Sequence, residues 1–261
     1  MIGKLLKNDL KKTTKVLIYM YIICIGVACL ARLVSLLDHI QLFFIVGKVL
    51  EGTVYAAVVN IIVNTFIHIL LNFGKGFYGD ESYLTHTLPV GKDKLLLSKY
   101  LTALIVIFAS VLVCLLSLVI AIYTDELKTF IEVSLTQMVM GFNMSVGGFL
   151  ALVAGVLFAQ TCANISMAYT AIVKANTYNQ KRTLKGIIWF IVFYLVVSIG
   201  ALIVICLALA ITGNFSDILA ETMSQQSFLT VLAVGLVCYL VGAVIFYFIC
   251  QKEFKKGVNV D

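Results

Sequence analysis

Four polar side chains recur at every fourth residue of an otherwise apolar stretch: Asn60, Asn64, His68 and Asn72. Because four residues advance about 40° beyond one full turn of an α-helix, they form one slowly drifting stripe. Polar groups inside hydrocarbon usually face protein or water. The stripe predicts a hydrophilic pathway or a subunit interface; the simpler alternative is hydrogen bonding between helices, which contributes about 0.6 kcal/mol on average. His68 has no carboxylate or thiolate companion, so no metal site is predicted.

A second regular spacing consists of small residues at every fourth position: Gly147, Ala151, Gly155, Ala159 and Ala163. A ridge of this kind lets the backbone of another helix approach closely. We therefore interpret it as a helix-packing surface.

No pattern in the sequence predicts an enzyme. The chain has no G-x-x-x-x-G-K-[ST] phosphate loop, no H-E-x-x-H and no G-x-S-x-G. The three histidines are scattered, and no acidic residue is predicted deep inside a span, which argues against proton coupling through a buried carboxylate. The seven cysteines all fall in apolar runs without a C-x-x-C pair, as expected of small core residues. We predict no catalytic residue, metal or cofactor in this chain.

The elements that must carry these side chains are membrane-spanning helices. Hydrophobic residues make up 62% of the 261 positions and charged residues 12%, and the mean hydropathy is +1.07. A soluble chain would need charged helix faces, and none is present. Since about 20 apolar residues cross a bilayer, the sequence predicts an all-α polytopic fold with one transmembrane domain over 1–261 and six spans: 16–37, 53–73, 101–123, 144–173, 186–212 and 228–250.

The distribution of basic residues predicts the orientation. Sixteen of the 19 lysines and arginines fall within 4–15, 75–99, 174–185 and 252–256. Because such residues are retained on the cytoplasmic side, we expect a plasma-membrane protein with both termini in the cytoplasm. The net charge of +6 then reflects topology, and no nucleic acid is expected as a partner.

Three segments outside the predicted spans carry amphipathic or apolar patterns. Residues 1–15 alternate apolar and basic residues, which predicts a short interfacial helix with lysines toward anionic lipid headgroups. A secretory signal also begins this way, but the apolar run is too long for one. Residues 38–52 are apolar enough to dip into the outer interface, and 123–143 contains a predicted surface helix.

The longest polar interruption, 74–100, contains the only proline of the chain. Proline lacks an N–H and disfavours helical geometry at the preceding residue, so Leu88-Pro89-Val90 predicts a break. A short helix, a turn and a second helix start at Lys92 are expected.

This interruption resembles the segment between spans two and three of ABC-2 type transporter permeases of Gram-positive bacteria. The similarity lies in Glu81, the Leu88-Pro89-Val90 run and the ending Leu95-Leu96-Leu97-Ser98-Lys99. The specific part covers 78–99, while the six-span topology matches over the whole chain.

The resemblance implies an exporter permease whose two six-span subunits, identical or different, each dock a coupling helix onto a separate ATPase that holds ATP and Mg²⁺. It implies a hydrophobic or amphipathic cargo, such as a peptide, drug or lipid, and a pathway along spans two and five, although span five here lacks a polar stripe. A non-transporting membrane immunity, sensor or assembly protein of the same fold is the alternative. The residues placed at the ATPase are Asp80, Glu81, Ser82, Tyr83, Leu84 and Pro89.

Overall fold

The computed structural model describes residues 2–37, 41–79, 82–87, 90–122, 128–129, 133–136, 145–178, 180–213 and 224–256. All regular structure within these ranges is helical. Six helices are long and apolar enough to cross a membrane, which confirms the predicted all-α fold with six spans. The helices are α1 (Ile2–Ser35), α2 (Gln41–Tyr78), α3 (Ser82–Thr87), α4 (Lys92–Ile122), α5 (Val146–Ala175), α6 (Arg182–Ile211) and α7 (Gln225–Lys255).

The amino-terminal segment and the first apolar run form one continuous helix. Helix α1 runs from Ile2 to Ser35 without a break, so the predicted segment 1–15 has no boundary with the first span, and its location at the membrane interface stays a prediction. No proline interrupts it, and the hydroxyl of Thr13 donates to the carbonyl of Asp9 at 2.9 Å within the helix. The apolar face that indicated an interfacial helix continues into the bundle, where Leu17 is fully buried.

Helix α2 also exceeds its predicted span. It begins at Gln41, so 41–52, predicted to dip into the outer interface, is helical and continuous with span two. At 1.5 Å per residue, 38 residues extend about 57 Å, well beyond a hydrocarbon core of about 30 Å. The predicted surface helix over 123–143 lies mostly outside the described residues. The parts of it that are described, 128–129 and 133–136, are helical.

The chain divides into two compact units, 1–130 and 131–261. In the first unit α1, α2 and α4 pack pairwise around small residues, including the buried Ala28, Val54 and Ala121. A polar node crosses this core at Ser110, whose Oγ lies 2.5 Å from the hydroxyl of Tyr21 and 2.9 Å from that of Thr65. Ser110 therefore joins all three spans by hydrogen bonds.

In the second unit α5 packs against α6 and α7. Ala163, Met167 and Phe246 form its buried cluster, and the hydroxyl of Thr170 donates to the carbonyl of Phe246 at 2.9 Å. Helix α6 has a single buried residue, Leu209. Most of its surface is apolar and exposed, as expected of a helix in contact with lipid or another protein.

Candidate docking and coupling site

The segment between α2 and α4 contains a short helix and a second helix that starts at Lys92, as predicted, whereas the turn predicted at Leu88-Pro89-Val90 lies mostly outside the described residues. Helix α2 ends at Tyr78, and α3 covers the six residues Ser82–Thr87. A tight turn at Gly79 joins them: its N–H donates to the Lys75 carbonyl at 3.2 Å, and its carbonyl accepts from the Ser82 N–H at 2.9 Å. A Cβ on Gly79 would lie 3.0 Å from the Lys75 carbonyl oxygen. A side chain at this position would therefore crowd the Lys75 backbone.

Helix α3 presents one side to the protein and another to the exterior. Ser82 is buried, whereas Tyr83 is 76% exposed, and the helix packs on α2. An aromatic side chain exposed to this degree provides a large apolar contact surface for a partner. Of the other predicted docking residues, Asp80, Glu81 and Pro89 lie outside the described residues, as does the side chain of Leu84.

An ion pair lies beneath this segment. The Lys99 ammonium on α4 is 2.6 Å from the Asp9 carboxylate on α1, and their side chains are only 12% and 13% exposed. The hydroxyl of Ser98 donates to the other Asp9 oxygen at 3.3 Å. Because both charges are largely removed from water, each depends on its partner far more than it would in an exposed pair.

The last turns of α2 complete the same cluster. Phe73 and Phe77 are fully buried and their rings meet edge to face at 5.0 Å between centroids. The Lys99 ammonium lies 5.9 Å from the Phe77 ring centroid. Next to Phe73 in the helix, the amide of Asn72 donates to the Thr13 hydroxyl of α1. All three spans of the first unit are thus tied together at the end that carries α3.

The polar stripe of α2 divides between two environments. Asn72 bonds to Thr13 inside the bundle, and His68 is half-buried. At the other end Asn60 is exposed, and its side-chain oxygen accepts from the Asn64 amide at 2.8 Å. The drift of about 40° per step carries the stripe from the exposed surface into the bundle. The four side chains thus pass from the surface of the first unit at Asn60 to the contact between helices at Asn72.

The small-residue ridge of α5 is divided in the same way. Ala159 and Ala163 are buried, and a Cβ on Gly155 would lie 3.3 Å from a methyl group of Leu236 on α7. Gly147 and Ala151 are exposed, and a Cβ on Gly147 would meet nothing within 4 Å. Only the half of the ridge toward Ala163 packs against another helix of this unit.

The basic segment 174–185 of the second unit was predicted from the sequence, but its contacts with aromatic rings were not. The Lys174 ammonium at the end of α5 lies 3.4 Å from the Trp189 ring centroid and 5.5 Å from that of Phe193 on α6. Nearby, Lys185 lies 4.0 Å over the Tyr178 ring. Cation–π contacts thus replace the ion pair of the first unit.

Asp9 was also missed, although the sequence contained a signal. It is the single acidic residue among five lysines in the first 15 positions, so an attractive role toward a base elsewhere could have been inferred. Identifying Lys99 as that base required knowing which helices pack together. Within the described residues no group of three or more histidine, cysteine, aspartate or glutamate side chains is placed to hold a metal ion.

Comparisons with protein-family models, with characterised proteins and with solved structures find no match to this chain. The function must therefore be argued from the residues and their geometry.

Proposed function

We propose that this chain is the permease subunit of an ATP-binding cassette exporter in a bacterial plasma membrane. It pairs with a second permease subunit, identical or different, and docks α3 onto a separate ATPase that binds ATP and Mg²⁺. Together the two permease subunits form a pathway for a hydrophobic or amphipathic cargo. The chain itself supplies no catalytic group.

The observation that carries this proposal is the exposed Tyr83 on a short helix that is held between two spans. Helix α3 contacts α2 and is followed after a short connection by α4, which begins at Lys92 and continues as span three. A displacement of Tyr83 and its helix therefore acts on two spans at once. This arrangement fits a lever moved by a partner better than it fits an unconstrained surface loop.

Magnitudes favour a packed contact over a purely ionic one. Moving a two-state permease almost completely from one state to the other requires about 5.5 kcal/mol of differential binding. One exposed ion pair contributes about 0–1 kcal/mol, so Asp80 and Glu81 cannot supply this by charge alone. A buried aromatic anchor at an interface is worth about 2 kcal/mol or more, which makes Tyr83 the principal contact of the proposed interface.

The positions of basic residues support a cytoplasmic location for α3. Lys99 on α4 meets Asp9 of α1, and Lys174 on α5 meets Trp189 of α6, so within each unit the basic helix ends come together. Lysine and arginine are retained on the cytoplasmic side. We therefore place α3 and both chain termini in the cytoplasm, where an ATPase has access to its nucleotide.

The stripe of α2 supplies a candidate pathway surface. Asn60 is exposed at the surface of the first unit, and the Asn64 amide donates to Asn60 of its own helix, to the backbone and the side-chain oxygen. In hydrocarbon, the donors and acceptors of these amides that are not yet hydrogen-bonded need water or another protein chain as partners. The outer half of the stripe is thus proposed to face the pathway or the second permease subunit, while Asn72 serves packing.

Copurification tests the proposed docking. The double variant Glu81→Arg, Tyr83→Ala, purified in mild detergent from host membranes, should lose an associated ATPase that the wild-type chain retains. Its insertion in the membrane should be unchanged. A copurified protein is accepted as the ATPase only if its sequence contains a phosphate loop.

The matched control is Tyr178→Ala, which removes an exposed tyrosine next to the other basic cluster. It should retain the ATPase at the wild-type level. Equal recovery of the ATPase with wild-type and double-variant chains would contradict the docking role of α3.

A further inference from the structure

The Asp9 carboxylate lies where the three spans of the first unit converge. Lys99 and Ser98 of α4 bind its two oxygens at 2.6 and 3.3 Å. Asp9 itself belongs to α1 and lies about two helical turns before Leu17, which is fully buried in the bundle. One carboxylate thus connects the first helix of the chain to the base of the third span.

Helix α2 is shaped to admit the lysine of this pair. A Cβ at Gly76 would lie 3.2 Å from the Lys99 Nζ and 3.5 Å from its Cε, so the glycine leaves room for the lysine side chain to cross α2. On the next residue the Phe77 ring faces the ammonium, with 5.9 Å between them. The ion pair therefore fixes α2 as well as α1 and α4.

The pair also lies close in sequence to both ends of the α3 connection. Gly76 is three residues before the tight turn at Gly79, and Lys99 is about two helical turns after the start of α4 at Lys92. Both arms that support α3 are thus joined to the same point on α1. Without that junction, the arms would be held to α1 at this end by the Asn72–Thr13 hydrogen bond and, farther along the spans, by apolar packing.

We propose that Asp9 and Lys99 are positioning residues that clamp both arms of the α3 segment to α1, so that a displacement of α3 is passed to the first span. This inference rests on the proposed docking function, but the clamp itself can be tested in the chain alone. Neither residue is proposed to touch the ATPase or the cargo.

Hydrogen–deuterium exchange of the full chain in nanodiscs provides that test. In Asp9→Asn and in Lys99→Met, amides of 76–79 and 92–98 should exchange about tenfold faster than in the wild type, because the arms open locally more often. The charge-swapped double variant Asp9→Lys, Lys99→Asp should recover most of the protection. Unchanged exchange in the single variants, or no recovery in the double variant, would overturn the proposal.

The matched control is the ion pair of Lys256 with Glu253, 2.7 Å apart, in which the lysine side chain is 60% exposed. Glu253→Gln should leave exchange at 76–79 and 92–98 at the wild-type rate. Faster exchange at those segments in this control would mean that any lost charge loosens them, and the clamp would be rejected.

A second measurement separates positioning from simple stabilisation. In the complex with its ATPase, nucleotide binding should change exchange in both α3 arms and in residues 2–15 of wild-type α1. In Lys99→Met the arms should still respond, whereas the response of α1 should be lost. A full α1 response in that variant would overturn the clamp. If no ATPase associates with the wild-type chain, the proposed function fails, while the exchange result on the chain alone still decides whether the clamp exists.

Discussion

The two units join their basic helix ends by different chemistry. In the first unit an ion pair between Asp9 and Lys99, 12–13% exposed, ties α1 to α4. In the second unit the ammonium of Lys174 rests on the Trp189 ring of α6. An ion pair with a second hydrogen bond is directional, whereas a cation over an aromatic face tolerates sliding. The directional contacts lie in the unit that also carries α3.

The largest expected effect comes from breaking the directional contact. Lys99→Met leaves the Asp9 carboxylate buried without its ammonium, and removing one partner of a buried pair costs about 3–5 kcal/mol. Because the pair is slightly exposed, we expect a value near the lower end of that range. Unfolding in mixed micelles of increasing dodecyl sulfate fraction, followed by circular dichroism, measures the difference.

Lys174→Met should cost less, because it removes only a cation–π contact while the long side chain continues to cover the ring. Such contacts contribute about 0.5–2 kcal/mol. The same unfolding measurement applies, and the losses in free energy of unfolding of Lys174→Met and Lys99→Met are compared. If Lys174→Met destabilises the chain more than Lys99→Met, the proposed difference between the units is wrong.

Removing hydrogen bonds between spans should have the next largest effect on the free energy of unfolding. Ser110→Ala removes contacts to both Tyr21 and Thr65, and Thr170→Val removes one contact to the Phe246 carbonyl of another helix. At about 0.6 kcal/mol per bond between membrane helices, Ser110→Ala should have about twice the effect of Thr170→Val. Equal effects would indicate that one of the two Ser110 contacts contributes nothing.

The smallest effect concerns the ridge of α5. Gly155→Ala places a methyl group 3.3 Å from Leu236, while Gly147→Ala meets nothing within 4 Å. The leucine end can move by a few tenths of an ångström, so we expect Gly155→Ala to change the free energy of unfolding less than either hydroxyl variant does. Gly147→Ala should be neutral or slightly stabilising, since alanine favours helix. A larger loss with Gly147→Ala would contradict the described division of the ridge.

The spans were predictable because each is a long apolar run, and apolar length is what the bilayer selects. The helix ends were not. The predicted first span begins at 16, whereas α1 begins at Ile2. Asp9 and Thr13 have partners on α4 and α2, and these contacts become visible only once the helices pack. A sliding window of hydropathy scores those residues as polar and therefore assigns them to a segment outside the span.

The candidate site shows the same limit. Spacing correctly indicated that Asn60, Asn64, His68 and Asn72 lie along one drifting line of α2, but spacing does not identify what each contacts. Asn72 donates a hydrogen bond to Thr13 of α1, whereas Asn60 is exposed at the surface. Likewise, the break near Pro89 predicted a short separate helix. The exposure of its tyrosine could be identified only once the packing of α3 on α2 was known.

The central claim is that Tyr83 contacts an ATPase, and site-specific photo-crosslinking in intact membranes tests it most directly. A benzophenone amino acid at position 83 should yield a covalent adduct with a protein that contains a phosphate loop. The same probe at position 19, whose tyrosine is 64% exposed on span one, should not yield that adduct. Adducts from position 83 only with lipid, with this chain itself or with proteins lacking a phosphate loop would contradict the account.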